Sequence, residues 1–206
     1  PLPDGSEVRL NTNGRLEVNY SSATRALRLL QGEAFFQVAK DRELPFSVQA
    51  GGGLVVAMGT AFAIRLRAGH KVQVTVSEGR VTVAAKQLTD EPSDSVVEVV
   101  AGQTVTFERA IESVETLDAP EIERRLSWRA GMLMFNGDSL ESVVSEVSRY
   151  TATKIVISDP EIRQLKVGGY FRAGDTEVLL RTLADDFEIE VDRVATDLVY
   201  LRSRTN

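Results

Sequence analysis

Few side chains in this 206-residue sequence can do covalent or metal chemistry. There is no Cys and a single His, His70, which excludes thiol nucleophiles, thiolate zinc sites and iron–sulfur clusters. A Ser-His-Asp triad would have to use His70, which sits in AGHK (68–71) and reads as a solvated turn residue. The acids are scattered and alternate with bases, so no catalytic carboxylate pair stands out. Exposed aromatic platforms are scarce, Trp128 being alone of its type, which leaves a carbohydrate-binding β-domain as a remote alternative. No metal, cofactor or catalytic side chain is expected. One stretch stands apart, VVAMGTAFAIRL (55–66), with Gly59-Thr60 at its centre. Read as one strand, it has a bulky face (Val56, Met58, Thr60, Phe62, Ile64, Leu66) and a nearly bare one built on Ala57, Gly59, Ala61 and Ala63. The bare face is expected where another backbone approaches closely, with Met58, Phe62 and Ile64 filling the core.

Charge narrows the partners. The net charge is −6, and residues 1–120 and 121–206 each carry 15 acids and 12 bases. With no basic concentration and no interleaved aromatic platform, neither nucleic acid nor a membrane surface is an expected partner. There is no apolar run of membrane-spanning length and no signal peptide. Beginning at Pro1 within a strand-like pattern, the sequence reads as a fragment separated from any anchor.

Two periods organise the chain. Over residues 3–107 apolar residues alternate with period two, which predicts an all-β module as a twisted two-layer or solenoid-like stack. VRLNTNGRLEV (8–18) carries Asn13-Gly14 between alternating arms, a hairpin signal. LRLLQGEAFFQV (27–38), VQVTVSEGRVTV (72–83) and VEVVAGQTVTF (97–107) each read strand, Gly turn, strand, pivoting at Gly32, Gly79 and Gly102. The acidic LTDEPSDS (88–95) reads as an exposed loop, and ETLDAPEIERRLSW (115–128) as a connector in which Pro120 opens a helical turn.

Beyond it the period becomes 3.6. Leu140, Val143, Val144 and Val147 predict a helix capped by Asp138, with Glu141 completing a capping box. Leu180, Leu183, Ala184 and Phe187 predict a second. GMLMF (131–135), KIVIS (154–158), LKVGGYF (165–171), EIEVDRV (188–194) and DLVYLRS (197–203) read as strands, the last two as a hairpin. The expected division is an all-β module over 1–118 and an α+β sandwich of order βαβ-βαββ over 119–206.

Several segments also carry a resemblance. LPDGSEVRLN (2–11), LLQGEAFFQV (29–38), PFSV (45–48), VVAMGTAFAIR (55–65) and VSEGRVTV (76–83) resemble, in order, the signature segments of the FecR family. WRAGMLMFNGDSLESVVSEVSRY (128–150) and LKVGGYF (165–171) resemble that family's C-terminal module, which is similar to the short domain at the N-terminus of secretins and TonB-dependent transporters. Gln37, Met58 and Ser148 depart from the residues usual there.

The resemblance implies the periplasmic region of a single-pass inner-membrane anti-sigma regulator in a Gram-negative bacterium. It implies a protein ligand, the signalling domain of an outer-membrane TonB-dependent transporter. The full-length protein would also meet an extracytoplasmic-function sigma factor and periplasmic or intramembrane proteases. Relatives are in some cases cut at a Gly-Thr bond by an N-to-O acyl shift, which makes Gly59 and Thr60 candidates for self-cleavage. For partner binding, strand edges that accept a partner strand are expected at Ile155 and Ile157 in KIVIS or Val199 and Leu201 in DLVYLRS. Trp128 and Tyr150 are candidate interface anchors.

Overall fold

The computed structural model describes residues 1–40, 44–85 and 95–204. The chain divides into two compact units, Pro1–Glu123 and Arg124–Asn206.

Among the described residues, the first unit has twelve strands in two six-stranded sheets. These are β1 (Glu7–Leu10), β2 (Arg15–Tyr20), β3 (Arg25–Gln31), β4 (Glu33–Gln37), β5 (Phe46–Ala50), β6 (Gly53–Ala57), β7 (Ala61–Leu66), β8 (Val72–Glu78), β9 (Arg80–Ala85), β10 (Ser95–Val100), β11 (Gln103–Phe107) and β12 (Ile111–Thr116). One sheet runs β1-β4-β7-β8-β11-β12 and the other β10-β9-β6-β5-β3-β2. Among the described residues every pairing is antiparallel except β3 with β5. Of the two layouts open to the sequence, the two-layer one is realised. The inner faces share a core in which the Phe36 ring stacks on Phe62 at 5.1 Å and meets Phe46 edge-on at 5.9 Å.

The Gly-centred units are not hairpins. β1 pairs with β4 and β2 with β3, so VRLNTNGRLEV carries the chain from one sheet to the other. The same holds for β3 to β4 at Gly32, β8 to β9 at Gly79 and β10 to β11 at Gly102. VVAMGTAFAIRL is likewise two strands. β6 ends at Ala57, Gly59 turns at φ 71°, and β7 begins at Ala61 in the opposite sheet. The turn shifts the alternation by one residue. Val55 and Ala57 face the core before it, and Phe62 and Ile64 after it. Met58, expected in the core, is 53% exposed at the corner itself. The expected acidic loop 88–95 lies outside the described residues apart from Ser95, which opens β10.

The chain leaves the first unit along α1 (Ala119–Leu126), where Asp118 Oδ1 accepts the Glu121 amide at 2.8 Å. In the second unit the order is β13 (Met132–Ser139), α2 (Leu140–Val147), β14 (Lys154–Ile157), β15 (Lys166–Arg172), α3 (Thr176–Asp186), β16 (Ile189–Ala195) and β17 (Leu198–Ser203). β13 pairs with β15, and a separate three-stranded sheet runs β14-β17-β16. Both helices and both sheets contribute to one core.

Leu140, Val143, Val144 and Val147 are all buried on α2. Its cap is Ser139 rather than Asp138, because the Ser139 hydroxyl accepts the Ser142 amide at 3.2 Å. Asp138 is committed elsewhere: its Oδ2 accepts the Asn136 amide at 2.9 Å and lies 3.3 Å from the Arg124 guanidinium. With the cap one residue later, Glu141 no longer falls at the capping-box position. It lies 3.8 Å from Arg163 instead.

Candidate functional site

Gly59 and Thr60 sit where β6 hands the chain to β7. Thr60 is 2% exposed, and its carbonyl accepts the Val38 amide at 2.8 Å. Its hydroxyl, Oγ1, is buried with no hydrogen-bond partner. Gly59 takes a left-handed conformation that only Gly adopts freely, and a Cβ there would fall 2.4 Å from Lys40 Cγ. The next corner packs onto this one. A Cβ on Gly79 would fall 2.9 Å from the Thr60 methyl and 3.3 Å from the Gly59 carbonyl oxygen. The site thus joins a hydroxyl not held by any other group to a peptide carbonyl with no side chain of its own to shield it.

The strand candidates separate into one central strand and one edge. β17, which carries Val199 and Leu201, lies between β14 and β16, and both residues are fully buried. DLVYLRS is therefore not an edge: both of its hydrogen-bonding sides are occupied, by parallel β14 and antiparallel β16. β14, which carries Ile155 and Ile157, is an edge and pairs only with β17 among the described residues. The Lys154 and Ser158 amides donate to Asp197 and Leu201 carbonyls on the β17 side. Alternation along a strand then turns the Ile155 and Ile157 amides to the free side. Ile155 is buried in the core, whereas Ile157 is half-buried against it.

Tyr150 is half-buried against the core of the second unit, with the Arg149 guanidinium 5.6 Å from its ring centre. Trp128 lies in the single-turn helix Ser127–Ala130 and is half-buried, its indole nitrogen lacking a hydrogen-bond partner. Neither residue belongs to β14 or its neighbours, so the structure brings the partner-binding candidates together only at Ile155 and Ile157. No group of three or more metal-ligating side chains occurs among the described residues. No described helix is long and apolar enough to cross a membrane.

One buried charge cluster escaped the sequence reading. Arg25 is 3% exposed; its guanidinium lies 2.9 Å from Asp4 Oδ2 and also donates to the carbonyls of Leu44 and Ala39, at 2.8 and 3.3 Å. Burial pushes the Asp4 carboxyl up, but hydrogen bonds from the Ser6 hydroxyl, Arg25 and the Ser6 amide outweigh it and hold the group below its ordinary value. Tyr20 is pushed up to about 12, first by burial and then by the Asp4 charge. The signal was present: Arg25 shares the inward parity of Leu27 and Leu29 on β3.

Residues 1–82 match the family model described as FecR protein. No curated protein matches the sequence. Two crystal structures, each of a candidate anti-sigma factor from Parabacteroides distasonis, are similar over nearly the whole chain at 24% identity. One superposes with a TM-score of 0.75 over 99% of this chain and 93% of that one, the other with 0.74 over 99% and 92%. Residues 1–82 are thus similar to the FecR protein family, and the chain as a whole shares its fold with the two Parabacteroides proteins.

Proposed function

We propose that this chain is the periplasmic signalling region of a membrane-anchored FecR-like anti-sigma regulator. In this reading it receives the signalling domain of an outer-membrane TonB-dependent transporter and relays iron or siderophore status to an extracytoplasmic-function sigma factor. Exposure of the membrane-proximal chain to periplasmic and intramembrane proteases completes the relay. The FecR-family match supports the regulator class. The observation that carries the partner is the free side of β14, where the Ile155 and Ile157 amides face no strand among the described residues. An unpaired edge takes a partner's strand through main-chain hydrogen bonds.

The test is a calorimetric titration of the chain with the signalling domain of the transporter encoded beside it. Ile157→Pro deletes one edge-facing amide without touching the ladder to β17. It is expected to weaken binding at least about tenfold, the equivalent of one or two lost hydrogen bonds, with the circular dichroism spectrum unchanged. Full-strength binding by a folded Ile157→Pro protein would rule out this edge.

A second reading is favoured by the unpartnered Thr60 hydroxyl. Here the regulator cuts itself. Thr60 Oγ1 attacks the Gly59 carbonyl carbon, the C–N bond breaks, and the Thr60 amine takes up the proton as an ester joins the two residues. Water then hydrolyses the ester to a Gly59 carboxylate and restores the hydroxyl. Incubation of the purified chain followed by mass measurement under denaturing conditions is expected to yield fragments 1–59 and 60–206, and none from Thr60→Ala. A wild-type mass that stays whole would eliminate the reaction.

A further inference from the structure

At one end of the first unit three turns meet: the crossing at Gln31-Gly32, the β5–β6 turn at Gly51 and the β7–β8 turn through Arg67 and His70. They border an open cleft of about 440 Å³. Arg28, Arg67 and His70 line it, all three exposed, and no Asp or Glu is among the lining residues. Neither Arg28 nor His70 forms an ion pair among the described residues. Arg67 donates to the Gln73 side-chain oxygen at 2.8 Å. The nearest competitor by register is Glu17, which faces Arg28 across the β2–β3 pair but does not line the cleft.

We infer that this cleft binds an extended acidic segment of a partner polypeptide. Carboxylates match the Arg and His donors, and Arg in particular can hold a carboxylate through two parallel hydrogen bonds. A single small ion fits less well. The donors are spread over a strand and a turn around an open cleft, not converged in a desolvated pocket. The lining also includes Leu30, 39% exposed, and half-buried Leu66, apolar contacts that a peptide can use and an inorganic ion cannot. Exposed ion pairs are individually weak and screened by salt, so recognition depends on several acting together with that apolar contact. The inference concerns the first unit and stands independently of partner binding at β14.

The test uses the whole chain and a fluorescein-labelled peptide of alternating Glu and Leu, followed by anisotropy at low and high salt. Saturable binding is expected at low salt and should fall at least about tenfold at high salt. The Arg28→Gln/His70→Gln variant should weaken it by about tenfold or more, and Glu17→Gln should tighten it by removing the competing carboxylate. Arg80→Gln, at an exposed pair with Glu98, should leave it unchanged. Absence of binding, or equal loss in Arg80→Gln and the double variant, would overturn the proposal. So would displacement of the peptide by inorganic phosphate at comparable concentration, which would make the cleft a small-anion site.

Discussion

Arg25 and its partners form a buried ionic cluster in the first unit. A guanidinium 3% exposed survives only because Asp4 and two backbone carbonyls meet it. Asp4→Ala strands that charge and is expected to cost about 3 kcal/mol, read as a lowered urea midpoint at unchanged m-value. The cluster also sets the pH range of stability, through two groups of opposite sense. Asp4 titrates lower in the folded state than its ordinary 3.8, so its contribution is present above that value and lost as pH falls through the folded one. Tyr20 is raised from 10.0 to about 12, so its contribution is present below pH 10 and disappears as pH rises towards 12. Urea midpoints of the wild type should therefore decline across that alkaline window, whereas those of Tyr20→Phe should decline less. Parallel declines would remove Tyr20 from the account. The parity of β3 made Arg25 legible as an inward residue, but its counter-ion lies 21 residues away, a separation that no local pattern reports.

Strands and helices were legible to different degrees. The 3.6-residue repeat of Leu140, Val143, Val144 and Val147 identifies the buried face of α2 without further help. Period two identified strands equally well in the first unit, but it reports only that one face is buried. A strand, a Gly and another strand read alike whether the chain returns within a sheet or crosses to the sheet opposite. That ambiguity made VRLNTNGRLEV look like a hairpin and VVAMGTAFAIRL look like one strand. Similarly, nothing within DLVYLRS tells that β14 and β16 flank it, because strand order is a non-local property.

The crossings themselves are testable. Gly69 and Gly79 have nearly the same left-handed backbone, φ 74° and 75°, yet a Cβ at Gly69 would meet nothing within 4 Å. Gly69→Ala should cost about 1 kcal/mol, the left-handed penalty alone. Gly79→Ala should cost a further ~1–3 kcal/mol for pushing against Thr60. Equal thermal shifts for the two variants would mean that the corners do not pack as described.

At the scale of the whole chain, the first unit's connectivity sends the polypeptide back and forth between its sheets, so each sheet is assembled from segments far apart in sequence. This follows from the order of crossings, and neither composition nor periodicity carries it. The corner at Gly59-Thr60 lies between β6 and β7, and β4 pairs with β7 while β6 pairs with β9. A chain broken at that bond would still be spliced across both sheets by two ladders of five residue pairs each, and by the stack of Phe36 on Phe62 from opposite sides of the break. Hydrolysis there would release no fragment. It would convert a covalent tether into a mechanical coupling that transmits small displacements intact and parts only under load, when a pull on either end strips both ladders.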